Sequence, residues 1–445
     1  MQTHKLFEDT YKPEVLKKLY NDYVSKSSAA GRDGILRGIF EDHLDNELNI
    51  IERKVKNREY QFTGYKEKLI SKGSKKSPRQ ISIPTFRDRV TLRATHQILR
   101  DIFPEARPLP PHKFIKNILE VLPTLGTNYS FLRMDVENFY PSIDHMKLMK
   151  KIRAKSRTAG YNELLLKALQ TPTGVKNTHH NRNVKGVPQG LSISNILSSI
   201  YLQNVDKKIS KTVHYFRYVD DILVICPTAL TGKYFRDISH ELSKLNLTAH
   251  PPTVENSAKS GSWTTSEGTD YLGFRITNNS ISVRDSSFKR MFRNLLNVFT
   301  SYKYHQNLER FEFRINLKIS GCIFEGKRRG WMFFFSQTRD MHQLKELDAF
   351  IKKMQTRFGL NGEAVKLKTF TKAYHEIRYN FKESTYFSNF DLFTLEEKVL
   401  AIHKMTGKSL IEIETWNPIT IEEIFTKSVV KAVNELESDV LEAFS

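Results

Sequence analysis

Two adjacent carboxylates interrupt an apolar stretch in the middle of the chain, and they constrain the fold more than any other feature. Residues 215–219 and 222–225 have the aromatic and β-branched composition of strands, and Asp220 and Asp221 lie between them. Neighbouring like charges repel each other unless a cation or an exposed turn relieves them. The sequence therefore predicts a β-hairpin with acids at its tip, although the pair taken alone favours a simple exposed turn.

A third carboxylate ends another predicted strand. Residues 131–136 alternate like a strand and place Asp135 near its end, 85 positions before Asp220. A sheet that sets this strand beside the hairpin would bring the three acids into one space. Hard oxygen ligands suit Mg²⁺, which binds proteins through a few carboxylates plus substrate phosphates. Two such ions about 3.5 to 4 Å apart stabilise both the attacking and the leaving oxygen of an in-line phosphoryl transfer.

The net charge points to a nucleic acid partner. The formal charge is +21, from 70 Lys and Arg against 49 Asp and Glu, and such an excess favours a polyanion through phosphate contacts. Residues 53–93 hold 13 basic and three acidic residues, a net +10 interleaved with apolar positions. This segment is predicted to bind phosphates.

A membrane partner is not expected, and the predicted setting is cytoplasmic. No apolar run approaches the roughly 20 residues of a spanning helix. Residues 1–20 lack the apolar core of a signal peptide. Cys226 and Cys322 are the only cysteines, too few and too far apart for a disulfide framework or a zinc site.

Several segments in a fixed order resemble the motifs of reverse transcriptases, especially the bacterial and group II intron branch. The matching segments are, in chain order, residues 79–84 and 87–89 (fingers), 131–140 (first palm motif), 186–190 with Ser194 (Pro-Gln-Gly motif), 218–221 (Tyr-X-Asp-Asp box) and 271–274 (primer grip). A lone Tyr-X-Asp-Asp box is a weak signal, but the whole series in family order is a strong one.

The resemblance implies an α+β fold, a right-hand polymerase with fingers, palm and thumb. Residues 1–125 would form the N-terminal helices and fingers, and residues 126–280 a palm with an antiparallel sheet plus helices. Residues 281–445 would form the thumb and a helical C-terminal extension. Ser194 is predicted to cap a helix that follows the Pro-Gln-Gly motif.

The resemblance also implies a two-metal site. Asp135 and Asp220 would bind two Mg²⁺ ions, for which Mn²⁺ would substitute, and the carbonyl oxygen of Val136 would be a further ligand. Asp221 would belong to the same catalytic and metal site, where it contributes charge and geometry.

Substrate contacts follow from the same resemblance. The residues expected at the nucleotide and template are Lys75, Lys76, Arg79, Tyr140, Gln189, Gly190 and Tyr218, and those expected at the primer are Tyr271, Leu272 and Gly273. Tyr140 would be the steric gate, because a ring below the sugar clashes with a 2′-hydroxyl. Arg79 and one of the two lysines would bind the triphosphate. Gln189 would hydrogen-bond to the template or to the incoming nucleotide, and Gly190 would let backbone approach a base pair. Arg87 and Arg89 either bind phosphate or pair with acids of the fold.

The sequence departs from the family pattern at several places. The family lysine thought to assist proton transfer to pyrophosphate is missing from residues 250–254, so His250 or Lys259 would take that role. Asn195 stands where proline is common. Residues 108–113 do not follow the pattern of intron enzymes, which argues against a maturase. Residues 321–335 are similar to C-terminal parts of bacterial defence-associated reverse transcriptases, in particular those of type 3. Trp331 and Phe333 there would either stack on bases or pack in a core.

These observations predict template-directed DNA synthesis on a non-coding RNA in antiphage defence. The expected partners are an RNA template and the DNA product, with a homo-oligomer or a second reverse transcriptase subunit as further candidates. One alternative is untemplated or protein-primed DNA synthesis, as in abortive infection. The other is an RNA-binding scaffold with a non-catalytic palm, which the three intact acids speak against.

Overall fold

The computed structural model describes residues 3–25, 29–71, 77–174, 182–253, 259–360 and 365–441. They form two compact units. Unit 1 comprises Met1–Pro110 and Gly126–Thr264, and unit 2 comprises Pro111–Leu125 and Thr265–Ser445. The boundary after Thr264 differs from the predicted palm boundary at residue 280, and the segment 111–125 joins unit 2. The division into fingers, palm and thumb stays a prediction.

Helices make up most of both units. In chain order they are α1 (Thr3–Thr10), α2 (Pro13–Leu19), α3 (Arg37–Asp42), α4 (Leu44–Lys56), α5 (Phe86–Ile102), α6 (Pro111–Val121), α7 (Phe139–Ser142), α8 (His145–Lys155), α9 (Ala159–Gln170), α10 (Ser194–Ile209), α11 (Thr231–Ser243), α12 (Asp285–His305), α13 (Leu308–Ser320), α14 (Trp331–Phe334), α15 (Met341–Arg357), α16 (Phe370–Tyr379), α17 (Leu395–Thr406), α18 (Leu410–Glu414) and α19 (Pro418–Leu441). Across the described ranges, every helix is too short or too polar to span a lipid bilayer.

The strands form four small sheets. In chain order they are β1 (Lys66–Ile70), β2 (Arg79–Ile83), β3 (Tyr129–Asp135), β4 (His214–Tyr218), β5 (Asp221–Pro227), β6 (Gly261–Thr264), β7 (Thr269–Tyr271), β8 (Phe274–Ile276), β9 (Ile281–Val283), β10 (Cys322–Phe324), β11 (Lys327–Arg329) and β12 (Ser388–Asn389). Neighbouring strands are antiparallel, except that β10 pairs with β12 in parallel. Helices with antiparallel sheets confirm the predicted α+β class.

The central sheet of unit 1 has the strand order β4-β5-β3-β6. β5 is apolar along its length because both of its faces are covered, and it pairs with β4 on one side and β3 on the other. Helices α10 and α11 lie against this sheet, and their apolar residues join its core. The predicted strands around Asp135 and Asp220 are therefore confirmed.

The basic segment before the sheet is held by a buried acid. Asp88 of α5 accepts hydrogen bonds from the Tyr60 hydroxyl at 2.9 Å and from the Thr63 amide at 3.1 Å. Burial raises the pKa of Asp88 to about 6. Arg87 forms a two-pronged ion pair with Glu47, and the Arg89 guanidinium lies 4.7 Å from the centre of the Phe86 ring. Arg87 therefore pairs with an acid of the fold.

Unit 2 combines helices with two short sheets. Residues 281–445 were predicted to form a thumb and a helical extension, but α13 ends at Ser320 and the hairpin of β10 and β11 follows. The reason is Gly321, whose φ of +68° suits glycine and whose position leaves no room for a Cβ against the Arg329 carbonyl. Trp331 is only 1% exposed and Phe333 is buried, so both belong to the core and the stacking interpretation is wrong. The apolar residues of α19 pack in a core cluster with residues of β10 and α17.

Candidate active site

The hairpin of β4 and β5 closes in a two-residue turn made of Val219 and Asp220. Tyr218 pairs with Asp221 across the last register position. Val219 has a φ of +58°, a left-handed conformation that β-branched residues rarely adopt. Such conformations persist only where the surroundings impose them, and they cluster at functional sites.

Arg217 holds this turn in place. Its Nη1 donates to the Val219 carbonyl at 2.8 Å, and its Nε donates to Asp206 of α10 at 2.7 Å. The Arg217 side chain is only 7% exposed. A buried, paired guanidinium thus fixes the tip of the hairpin to a helix that lies beside the sheet.

Strand β3 brings the third acid to the tip. Asp135 is the direct register partner of Asp221, and the Val136 amide donates to the Asp220 carbonyl at 3.2 Å. The structure therefore places Asp135, Asp220 and Asp221 side by side, although they are far apart in sequence.

The electrostatic environment of the Asp220 carboxyl favours the binding of a cation. Its pKa is raised to about 6, first because burial disfavours the charged form, and then because Asp135 and Asp221 repel it. Arg79, the first residue of β2, opposes this rise with its positive charge. The predicted triphosphate ligand Arg79 therefore lies within electrostatic range of the acids.

Asp221 has a different partner. Its two carboxylate oxygens accept hydrogen bonds from Nε and Nη2 of Arg133, each at 2.9 Å. Arg133 stands two positions before Asp135 on the same strand, so its side chain reaches Asp221 diagonally across the sheet. These two hydrogen bonds from the Arg133 guanidinium compensate the charge of Asp221 and fix the orientation of its carboxylate.

Replacing Arg133 by Ala is expected to lower the free energy of unfolding by about 1 to 3 kcal/mol, because the half-buried Asp221 carboxylate loses this charged partner. Urea denaturation followed by circular dichroism would measure the change. Adding Asp221→Asn to the Arg133→Ala variant should recover part of the loss. A variant as stable as the unmodified chain would show that the pair contributes nothing to the fold.

Asp135 faces two basic side chains. Lys259 Nζ lies 3.1 Å from its Oδ2, and His250 Nε2 lies 3.4 Å from the same oxygen. Lys259 Nζ is also 2.8 Å from His250 Nε2. Both residues predicted as proton donors therefore lie beside Asp135.

The donor set fits a magnesium site that is completed by substrate. Within the ranges the structure describes, no group of three or more His, Cys, Asp or Glu side chains is placed to enclose a metal ion. Asp221 is turned toward Arg133, and Asp135 is the carboxylate whose charge acts most strongly on Asp220. Mg²⁺ needs only one or two carboxylates when substrate phosphates supply the other oxygens. The repulsion felt by Asp220 is the observation that favours a cation here.

Tyr140 lies close to the acids and has a specific partner. Its hydroxyl donates to Asn195 Oδ1 of α10 at 2.6 Å. Burial raises the pKa of Tyr140 to about 12, and the negative charge of Asp220 adds to the rise. Asn195, which stands where proline is common in the family, therefore holds the Tyr140 ring that is predicted to act as the steric gate.

The Pro-Gln-Gly segment packs against β2. The Gln189 carbonyl accepts from the Ser82 amide at 2.7 Å. Gly190 has a φ of +99°, and a Cβ there would lie 2.8 Å from Ile81 Cγ2. Close packing thus requires Gly190 in addition to its predicted role at a base pair.

Ser194 is not the helix cap that was predicted. The chain enters α10 through Ile193 in helical conformation, so Ser194 is already the first helical residue. Its hydroxyl donates to the Pro188 carbonyl at 2.6 Å and closes the loop between the motif and the helix.

The remaining predicted residues are distributed as follows. Tyr218 ends β4, and burial raises its pKa with a further contribution from Asp220. Lys75 and Lys76 lie outside the described residues. In unit 2, Tyr271 and Leu272 are buried, and Leu272 and Gly273 form the left-handed turn between β7 and β8. The primer contact of that turn stays a prediction.

The sequence interpretation missed Arg133 and Arg217, and it noted Asn195 without giving it a role. Arg133 and Arg217 each sit two positions before a key residue of the tip, on an otherwise apolar strand. Because side chains alternate along a strand, a residue two positions away shares the same face. This alternation could have predicted that Arg133 lies on the same face of the sheet as Asp135.

Comparison with known proteins gives the family. The family model described as reverse transcriptase (RNA-dependent DNA polymerase) matches residues 70–276, which include all three acids and the motifs around them. Residues 70–276 therefore belong to the reverse transcriptase family, as the motifs predicted.

Several known proteins are similar to the chain at low identity. The group II intron-encoded protein LtrA of Lactococcus lactis subsp. cremoris is 24% identical over 253 residues, covering 54% of this chain and 41% of that protein. Protein YkfC of Escherichia coli strain K12 is 25% identical over 223 residues, covering 46% of this chain and 57% of its own length. The chain thus spans about half the length of these relatives. Among solved structures, apo telomerase from Candida tropicalis aligns with a TM-score of 0.44 at 15% identity, covering 92% of this chain and 72% of the telomerase chain.

Proposed function

We propose that this chain is an RNA-directed DNA polymerase that joins deoxynucleotides to a primer by two-metal-ion nucleotidyl transfer. The observation that carries the proposal is that Asp135 lies close enough to Asp220 to repel its charge, at the end of an antiparallel sheet where the Val136 amide donates to the Asp220 carbonyl. Both acids lie inside the segment that belongs to the reverse transcriptase family. A scaffold that only binds RNA would have no use for two repelling carboxylates at a strained hairpin tip.

The acids would hold the metal ions. Asp135 and Asp220 would be the carboxylate ligands, with the Val136 carbonyl as a further oxygen, and Asp221 would stay with Arg133. Mg²⁺ bound there, or Mn²⁺ in its place, supplies positive charge that offsets negative charge on the attacking and leaving oxygens. The chain orients these ligands through the register of β3 and β5 and the Arg217 contact at the turn.

Other side chains would bind and select the nucleotide. Arg79 would bind the triphosphate, since its positive charge already acts on Asp220, one of the proposed metal ligands. The Tyr140 ring, held by Asn195, would lie under the sugar and exclude a 2′-hydroxyl. Gln189 would contact the template or the incoming base, and the turn at Leu272 and Gly273 would contact the primer.

Primer extension tests this function. The full chain is incubated with a DNA primer annealed to an RNA template, the four deoxynucleotides and Mg²⁺, and the product is sequenced. A complementary DNA, lost when a chelator removes the metal and recovered with added Mg²⁺, is the expected result. Product of arbitrary sequence would favour untemplated synthesis, and no incorporation with Mg²⁺ or Mn²⁺ on any primer would favour a scaffold.

The biological template is proposed to be a non-coding RNA of an antiphage system in the cytoplasm. The similarity of residues 321–335 to defence-associated enzymes supports this role, and the net charge of +21 supports a nucleic acid partner. Sequencing the RNA and DNA that co-purify with the chain tests the proposal, because one abundant RNA should be complementary to the DNA. The chain is also proposed to form a homo-oligomer. The mass of the purified protein in solution would test this.

A further inference from the structure

The exposed face of α16 in unit 2 has a composition that its own fold does not explain. The buried side of the helix consists of Phe370, Ala373, Tyr374 and Ile377. The opposite side presents Lys372, His375, Arg378 and Tyr379, called here the α16 face, and all four are exposed. Tyr379 is 70% exposed, although an aromatic ring usually gains from burial. These residues lie outside the segment that belongs to the reverse transcriptase family.

Two rings of the α16 face lie close together, with their planes tilted toward each other. The centres of the His375 and Tyr379 rings are 5.7 Å apart, and their planes differ by 30°. The two residues are four positions apart on the helix, so they are neighbours on one side of it. Such an arrangement offers a π-surface to a ligand on its solvent side.

Cations flank these rings. The Arg378 guanidinium lies 5.9 Å from the centre of the Tyr379 ring, and its Nη1 donates to the Tyr374 hydroxyl at 2.9 Å and to the Ser336 and Thr338 carbonyls. It is thus anchored while exposed. Lys372 lies one turn before His375, with its Nζ 5.0 Å from the centre of the Tyr386 ring.

The local charge is positive. Residues 366–383 contain five Lys and Arg against two acids, Glu376 and Glu383. The Glu376 carboxylate accepts from Asn380 Nδ2 at 2.9 Å, so it is engaged by the chain that follows the helix. Stacking rings beside cations are the combination that recognises unpaired bases on a phosphate backbone, whereas a duplex hides its base faces.

The geometry points to a second nucleic acid contact, in which the α16 face binds single-stranded nucleic acid. One base stacks on the surface made by His375 and Tyr379, and Lys372 and Arg378 bind the flanking phosphates. This contact goes beyond the proposed catalysis and requires neither metal nor nucleotide. A single strand of RNA or DNA satisfies the same chemistry.

Photocrosslinking with the full chain locates the contact. The probes are short oligodeoxythymidine and oligouridine strands in which 5-bromouracil replaces some bases, used in the presence of a chelator and without deoxynucleotides. Trypsin cuts after Lys372, Arg378 and Lys382, so crosslinks to His375 and to Tyr379 appear in different peptides. The expected result is crosslinks in peptides 373–378 and 379–382. Crosslinks that map only to unit 1 would overturn the proposal.

Affinity measurements on matched variants test the stacking. Tyr379→Ala should weaken binding of the single strand roughly tenfold, and Tyr379→Phe should keep the affinity because the ring remains. Lys372→Ala should reduce the slope of log affinity against log salt by about 0.7. The control is Tyr304→Ala, since Tyr304 is 76% exposed and, among the described residues, has no ring or cation contact. Circular dichroism verifies that each variant is folded.

The other outcomes have defined meanings. Unchanged affinity in Tyr379→Ala, or equal losses in Tyr379→Ala and Tyr379→Phe, would rule out base stacking at this face. Tighter binding to vesicles of anionic lipid than to the oligonucleotides, lost in Tyr379→Ala, would make the face a membrane site. Because probe binding is measured without catalysis, a failure of primer extension does not affect this result.

Discussion

Replacing Asp220 by Asn is expected to reduce deoxynucleotide incorporation at least a thousandfold, which corresponds to about 4 kcal/mol of transition-state stabilisation. The substitution keeps the shape of the side chain but removes the charge that would hold the metal ions beside Asp135. Single-turnover primer extension at saturating Mg²⁺ measures the effect.

Stability separates this loss from a folding defect. Asp220 is a partly buried carboxylate repelled by the charges of Asp135 and Asp221, so its neutralisation removes repulsion in the metal-free protein. The Asp220→Asn variant should therefore be at least as stable to urea as the unmodified chain. Asp42→Asn, at an exposed acid at the end of α3, is the matched control and should leave incorporation unchanged. An Asp220→Asn variant that still extends primers at the normal rate would exclude Asp220 from the metal site.

The strands that carry the acids could be predicted because their signal is local. Residues 222–225 are apolar and mostly β-branched, residues 131–136 alternate between apolar and charged positions, and the acids mark the strand ends. The order of the family motifs then specified which strands lie side by side. The pairing of Asp135 with Asp221 is the direct consequence.

Contacts between distant segments could not be predicted in the same way. The bond between Tyr140 and Asn195 joins positions 55 apart, and the close approach of Gly190 to Ile81 joins two motifs whose distance is set by the whole fold. Ser194 failed as a cap because the chain enters the helix one residue earlier in helical conformation, and its hydroxyl donates to the Pro188 carbonyl instead. The hairpin after Ser320 was missed because Gly321 ends a helix whose apolar pattern continues beyond it.

Tyr140→Ala is expected to relax the selection against ribonucleotides about a hundredfold, because it removes a steric exclusion worth about 3 kcal/mol. The ring would occupy the space that a 2′-hydroxyl needs, so its loss should raise the incorporation of ribonucleotides while deoxynucleotide incorporation changes less. The measurement is the ratio of kcat/KM for the two nucleotides on the same primer and template.

The contact between Asn195 and Tyr140 gives a second test of the steric gate. The hydrogen bond from Tyr140 to Asn195 restrains the ring, and a bond of this kind contributes about 1 kcal/mol. Asn195→Ala should therefore relax selection only about fivefold, and Tyr140→Phe, which keeps the ring and loses the same bond, should match it. The double variant should be no worse than either single one, because both remove one interaction. Additive effects, or unchanged selection in Tyr140→Ala, would show that selection against the 2′-hydroxyl does not depend on a ring held by Asn195.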